Sequence, residues 1–293
     1  MTKLALGTAQ IGMPYGINNV RGRIPKAEAF EILKKAFEVG IDTIDTAPLY
    51  GDSEKILGDF ARSCGCRKFK IISKLSKCKS SQAEEIFQKT LDDLGTKRID
   101  GYLIHDFESY KNDKKIWETL SGLRKTGKVE KIGFSLYYPH ELDYLMSDCP
   151  GIDIVQIPFS VFDQRFEQYL PILKAMKIEI HARSVFLQGL VFKDADTIDD
   201  YFEKAKSKIK RLNHLSHETG KSILSLCIGF VISNKFIDKV VIGIDSLEHL
   251  IELTTAGLKG VACDKDIRAM SGLRIDDEDI VIPSKWRFSE IRG

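Results

Sequence analysis

A single closed (β/α)8 barrel, the TIM-type α/β class, is the fold this sequence predicts, and three observations carry the prediction. Short apolar runs alternate with amphipathic stretches eight times along the 293 residues, which implies right-handed crossovers and a parallel sheet buried on both faces. No GxGxxG follows the first run, and eight units are more than an open doubly wound sheet ordinarily uses in one domain. No Pro/Ser-rich linker divides the chain, so it reads as one domain over residues 1–293 with a tail from about residue 264.

The elements follow in order. Lys3 to Thr8 holds the run LALGT, and Gly12, Gly16 and Gly22 follow among polar residues, so a first strand leads into a long glycine-rich loop. From Pro25 to Val39 the apolar residues Ala29, Ile32, Leu33, Ala36 and Phe37 keep a helical period, with proline at the start and Gly40 just past the end. Ile41 to Gly51 reads IDTIDTAPLYG, which predicts a buried strand ending in Asp45, a bend at Pro48 and Tyr50 carried on the loop. The unit then recurs. Helices over Glu54 to Ala61, Ser81 to Leu94 and Lys114 to Lys125 precede strands over Phe69 to Ser73, Gly101 to Ile104 and Lys131 to Ser135. Helices over Pro139 to Met146 and Glu167 to Met176 precede the strands Asp153 to Ile157 and Glu179 to Ala182. Helical stretches at about 197 to 218 and 221 to 233 lead to the last strand, Lys239 to Ile244, and a helix from Leu247. The basic run Lys204, Lys206, Lys208, Lys210 and Arg211 shares its helix with Ala205, Ile209, Leu212 and Leu215, the pattern of a solvated face over a buried stripe.

Composition narrows the function. With 43% hydrophobic and 29% charged residues the chain can bury a large core. Its 44 basic and 42 acidic residues leave a net charge of +2, which gives no broad basic face for nucleic acid. The N-terminal MTKLALGTAQIG lacks the run of about seven or more apolar residues of a secretion signal, and no stretch is long enough to span a membrane. A cytosolic protein is the expectation. The cysteines at 64, 66, 78, 149, 227 and 263 have no nearby histidine to complete a metal site, so they read as reduced thiols and no metal is expected.

In a barrel of this class chemistry sits at the C-terminal ends of the strands. Those ends carry Asp45, Lys74, His105, Ser135, Gln156 and the pair Arg183-Ser184, with Tyr50 just beyond Asp45. Each has a plain structural role open to it: Asp45 as a helix cap, Tyr50 as a packing aromatic, Lys74 as a surface lysine, His105 as a hydrogen-bonded core residue, Ser135 and Gln156 as polar groups of the rim. Together they converge on one mouth. A carboxylate beside a lysine keeps the amine charged, and an ammonium beside a phenol lowers the phenol pKa. That is apparatus for protonating a carbonyl oxygen while hydride reaches its carbon, and a cofactor must bring the hydride because no side chain can.

At these residues the sequence resembles the aldo-keto reductase family, along LALGT, DTAPLYG, ISKL, LIHD, GFS, VQIP and IVIPSKW, which together cover nearly the whole chain. The resemblance implies an oxidoreductase using NADP, with NAD as the alternative, on a small-molecule carbonyl substrate. It implies Tyr50 as general acid, Lys74 as the group tuning it, Asp45 as the partner holding Lys74 and His105 as the group orienting substrate. Ser135 and Gln156 then correspond to groups holding the nicotinamide carboxamide, with Gly7, Thr8 and Asp45 near the ring. The loop Ser184 to Gly189, Leu187 included, corresponds to one that wraps the pyrophosphate, and Gly243, Ser246 and His249 fall in the segment that meets the adenosine end.

Three departures stand out. Leu136 follows Ser135 where many members have Asn. Arg183 stands where an aromatic ring usually stacks on the nicotinamide; a guanidinium plane can stack too, but it brings a positive charge beside the oxidised ring. After the last strand, Gly243-Ile244-Asp245-Ser246 offers no Lys or Arg for a 2′-phosphate, and Asp245 would repel one or accept a ribose hydroxyl. The expected activity is reduction of an aldehyde or ketone, sugar-like ones included. A cofactor-binding regulatory or subunit protein with a slow site is the alternative, separated by multiple turnover on simple aldehydes. A Schiff-base lyase on Lys74 is disfavoured, since Asp45 would keep that amine protonated. Trp286, Arg287 and Phe288 either close over the pocket or pack the tail to the barrel, and Tyr15, Tyr137 and Tyr138 are candidate pocket walls.

Overall fold

Eight parallel strands form the sheet: Leu4–Gly7 (β1), Thr43–Asp45 (β2), Lys70–Leu75 (β3), Ile99–Ile104 (β4), Val129–Ser135 (β5), Ile154–Pro158 (β6), Glu179–Arg183 (β7) and Lys239–Gly243 (β8). Each pairs with its neighbour in sequence, and β8 returns to β1 from Leu4 opposite Val240 to Gly7 opposite Gly243, so the barrel closes. The structure, a computed structural model, describes residues 2–64, 69–259 and 262–286. Cys66, Arg287 and Phe288 lie outside the described residues; the other five cysteines are free thiols.

Alternation along the strands sorts side chains to two cores. The inward set includes Ile72, Leu103 and Ile154, which pack together as a separate small cluster. Lys74, His105 and Gln156 lie two residues further along the same faces, so the barrel interior is apolar below and polar at its C-terminal end. The outward set meets the helices. Lys26–Glu38 buries Ala29, Ile32, Leu33 and Ala36 against the sheet. Phe37, expected on the same stripe, sits at its edge, 44% exposed, with its ring edge-on to Phe69.

Some helices differ from expectation for local reasons. Ala9–Gly12 forms a single helical turn inside what reads as a loop. Phe107–Asn112 is a further helix, started by the Asp106 carboxylate accepting the Ser109 N–H at 2.9 Å. The stretch expected as one helix from Glu167 is a 3-10 turn followed by Leu170–Ala175, with proline in its first turn. The long helix expected from about residue 197 begins at Glu203, after a turn capped by Asp199. In the tail, Trp286 donates its indole N–H to Ile280 O at 3.0 Å and packs edge-on against Phe202, so it fastens the tail to the barrel.

Glu54 is a buried carboxyl in the outer layer, accepting hydrogen bonds from Ser73 Oγ (2.6 Å) and Thr90 Oγ1 (3.4 Å). Burial pushes it from 4.5 up to about 7. The folded state therefore holds this proton more tightly than the unfolded state does. The stabilisation is complete below pH 4.5 and is lost as pH rises towards 7. Glu54→Gln, which resembles the protonated form, is expected to match wild type at pH 4.5 and to exceed it at pH 8 by about 2 kcal/mol. Urea unfolding at both pH values checks this; equal midpoint shifts at the two pH values would contradict it.

Candidate active site

The end of β2 and the loop after it are held by a small buried hydroxyl network. Thr8 donates both its N–H and its Oγ1 to Asp45 O, each at 3.0 Å, Ser53 Oγ donates to Thr8 Oγ1 at 2.6 Å, and Thr46 Oγ1 lies 2.9 Å from Ser53 Oγ. The loop then folds back on the turn at Ala9–Gly12. A Cβ at Gly12 would fall 1.5 Å from Tyr50 O, so only glycine lets the chain bring Tyr50 this close.

Lys74, on the inward face of β3, is fully buried and reaches three acceptors: Asp45 Oδ1 at 2.7 Å, Thr46 O at 2.9 Å and Tyr50 Oη at 3.4 Å. An ammonium has three donors, and all three are used. The second oxygen of Asp45 accepts from Gln156 Nε2 at 2.6 Å, and Gln156 Oε1 in turn accepts from Ser135 Oγ at 3.4 Å. Because Tyr50 Oη accepts from Lys74, its own hydrogen is left to point into the cavity. Burial raises the Tyr50 phenol above its ordinary range, the negative charge of Asp45 adds to this, and Arg183 opposes it. The phenol is thus not brought below its ordinary value beside the Lys74 ammonium, as the sequence suggested: desolvation is the largest influence, and the Asp45 carboxylate that holds the ammonium pushes the same way.

His105 follows β4, with its ring near-perpendicular to Tyr50 at 6.3 Å between centroids. Burial pushes it down to about 3, helped by the positive charges of Lys74 and Arg183, so the imidazole is neutral across ordinary pH. Its Nδ1 is buried and has no hydrogen-bond partner among the described residues. Arg183, at the end of β7, lies over the Tyr137 ring at 4.2 Å and donates to Leu136 O (2.8 Å) and Ser184 Oγ (3.2 Å).

These groups share one cavity of about 400 Å³ that extends from Tyr50 and His105 to Asp245 and His249. The loop after β7 forms one wall under backbone strain: Ser184, Leu187 and Gln188 all adopt positive φ (60°, 44° and 51°). Gly189 (φ +101°) lies against Asn18, and a Cβ there would come within 2.4 Å of Asn18 Nδ2. The first loop crosses to this wall through Asn18 Nδ2 to Gly189 O (2.8 Å), Ile17 N to Gln188 O (3.1 Å) and Gln188 Nε2 to Tyr15 Oη (3.2 Å). Burial pushes the Tyr15 phenol up to about 12. At the far end Asp245 Oδ1 meets His249 Nδ1 at 2.9 Å, and Arg21 donates to Asp245 O at 2.9 Å while pairing with Glu28. Gln10 also lines the cavity, and its Oε1 is buried with no hydrogen-bond partner among the described residues.

Of the residues singled out in the sequence, Gly7, Thr8, Asp45, Tyr50, His105, Gln156, Arg183, Ser184, Gly189, Gly243 and His249 line this cavity. Lys74 lies directly behind Tyr50. Ser135 stands behind Gln156, off the wall. Leu187, with positive φ, is fully buried in the core and off the wall. Ser246 is engaged locally, its Oγ accepting the His249 N–H at 3.0 Å at the start of the next helix. Tyr15 and Tyr137 are on the wall, whereas Tyr138 stacks with His140 and sits beneath Lys285. Sequence reasoning did not single out Gln10, on the Ala9–Gly12 turn, or Asn18 and Arg21, in the irregular glycine-rich stretch marked only as a loop, and Gln188 was covered only as part of the Ser184 to Gly189 loop.

Comparison with known proteins bears on family and fold. A family model described as "Aldo/keto reductase family" matches residues 3–274. The oxidoreductase YqkF of Bacillus subtilis is 25% identical over 92% of this chain and 95% of its own. L-galactose dehydrogenase of Arabidopsis thaliana is 24% identical over 82% and 81% respectively. In fold, the chain is similar to the aldo-keto reductase AKR11C1 of Bacillus halodurans, with TM-score 0.78 and 17% identity over 94% of this chain and 93% of that one.

Proposed function

The chain belongs to the aldo/keto reductase family, and on that premise we propose that it reduces an aldehyde or ketone, sugar-like ones included, to an alcohol, with Tyr50 as general acid. The observation that carries this reading is the full use of the Lys74 ammonium by Asp45, Thr46 and Tyr50, which leaves the Tyr50 proton directed into the cavity. A substrate carbonyl oxygen accepts that proton. His105, neutral and next to Tyr50, donates a second hydrogen bond to the same oxygen without adding charge, which orients the carbonyl and stabilises the oxyanion as it develops. As the proton leaves, the Lys74 ammonium at 3.4 Å stabilises the phenolate that forms. Asp45, fixed by Lys74 and Gln156, holds the ammonium in place.

The cavity suits a nicotinamide nucleotide, which when bound supplies the hydride. Glycines at 7, 189 and 243 leave its floor open, and the Gln10 Oε1 acceptor is unpaired. Gly7, Thr8 and Gln156 would lie beside the nicotinamide, Ser184 and Gly189 along the pyrophosphate, and His249 near the adenosine. For the nucleotide we favour NADPH: the fold brings Arg21, ion-paired with Glu28, to the Asp245 backbone, beside Ser246 and His249, where a 2′-phosphate could compete for it. NADH is the second reading, favoured by the Asp245 carboxylate at the same end.

Multiple turnover of NADPH on a panel of aldehydes, ketones and aldoses tests the activity; a single stoichiometric turnover would favour the regulatory alternative. Fluorescence titration is expected to give an NADPH Kd about tenfold below that for NADH. Tighter binding of NADH would reverse the cofactor assignment.

A further inference from the structure

We propose that Arg183 anchors a carboxylate carried by the carbonyl substrate, so that the preferred substrates are oxo acids or aldehyde acids. This rests on the reductase reading above and specifies its substrate class.

The carboxylates at the two ends of the cavity each have a partner in contact: Asp45 the Lys74 ammonium, and Asp245 the His249 imidazole. Among the described residues, no carboxylate lies within ion-pair distance of the Arg183 guanidinium. A guanidinium has five N–H donors. Two are used, toward Leu136 O and Ser184 Oγ, which fix the side chain without neutralising it. The Tyr137 ring beneath it, 4.2 Å away, locks its plane and shields one face. The result is a rigid, half-buried cation with unused donors on the cavity wall, suited to bidentate contact with a planar anion.

Its position in the cavity favours the substrate over the cofactor phosphates. Its charge is felt by Tyr50 and Tyr15, where it opposes the upward push of burial, and by His105, where it adds to the downward push of burial. Tyr50 and His105 are the two groups that receive the carbonyl. The wall also carries the apolar Leu49, Met13 and Phe192, which could not satisfy an anion, and the Tyr15 and Tyr137 hydroxyls, which could donate to one without neutralising it. An anionic substrate would therefore find a cation here, and a neutral one would leave this half-buried charge without a counter-ion.

The test compares carboxylates with their uncharged methyl esters: glyoxylate, succinate semialdehyde and 4-carboxybenzaldehyde, each against its ester, with NADPH. In the wild type, kcat/KM for at least one acid is expected to exceed that for its ester by about tenfold or more, and the ratio should fall with added salt. Arg183→Gln should collapse this ratio towards one, and Arg183→Lys should restore much of it. An acid-to-ester ratio at or below one in all three pairs, or a ratio that Arg183→Gln leaves unchanged, overturns the proposal. If Arg183 serves the cofactor instead, Arg183→Gln raises the NADPH Kd and lowers acid and ester turnover in equal proportion, which also overturns it. Binding of benzoate against benzamide to the cofactor-saturated protein, followed by calorimetry, gives a readout that does not depend on turnover. Should no aldehyde be reduced, the reductase reading fails while benzoate binding that is lost in Arg183→Gln still supports the anion site; absence of benzoate selectivity sinks it.

Discussion

Tyr50→Phe is expected to lower kcat by about a thousandfold, within the range general acid catalysis contributes, while the Kd for NADPH changes less than about threefold. The substitution removes one oxygen and keeps the ring, so the edge contact with His105 and the Lys74 ammonium over the ring face at 5.0 Å are preserved. What is lost is the phenol that accepts from Lys74 and has its hydrogen free toward the cavity. His105 cannot take over as acid. Pushed down to about 3, it carries no dissociable proton beyond its neutral form at working pH. Single-turnover kinetics with saturating NADPH separates the chemical step from cofactor binding, and a kcat within tenfold of wild type would remove Tyr50 from the mechanism. The raised phenol pKa bears on direction as well. A tyrosine held protonated by burial is ready to act as acid in reduction, so the reductive rate should be flat with pH well into the alkaline range.

How far the site was legible in the sequence depends on which elements carry it. Asp45, Lys74 and His105 each end a strand or follow one directly, and closing eight strands into a ring leaves their ends no choice but to converge. Tyr50 is carried by a short loop whose position the preceding strand and Gly12 determine. Those four could be placed from order alone. Loop residues could not: the contact of Asn18 with Gly189 bridges a separation of 171 residues and that of Arg21 with Asp245 bridges 224, and nothing periodic in either segment announces it. The electrostatics were also hidden. That a lysine lies near a phenol is readable from strand order, but whether it acts as a free charge or half of a buried pair depends on the 2.7 Å contact with Asp45. Gln156 shows the same limit, since its bond to Asp45 joins residues 111 apart and ties the expected cofactor contact to the catalytic carboxylate.

The buried pair is where the largest loss of stability is expected. Lys74→Met should destabilise the protein by about 3–5 kcal/mol, because it removes one partner of a buried ion pair and leaves the other charge without its counter-ion. Asp45 would keep the Gln156 amide at 2.6 Å and lose the ammonium at 2.7 Å, and Thr46 O and Tyr50 Oη would lose their donor in the same step. Methionine fills most of the lysine stem volume, so the loss is electrostatic more than steric. The double variant Lys74→Met with Asp45→Asn separates the two contributions. Removing both charges should recover about 2 kcal/mol or more of the stability lost in the single variant. Activity should not return, since Tyr50 would still lack the ammonium that stabilises its phenolate. Denaturant unfolding of the four proteins in this cycle, with turnover measured alongside, gives the coupling directly. A single variant as stable as wild type would mean that Lys74 and Asp45 are not a buried pair in solution, and a double variant with recovered turnover would remove Lys74 from the chemistry.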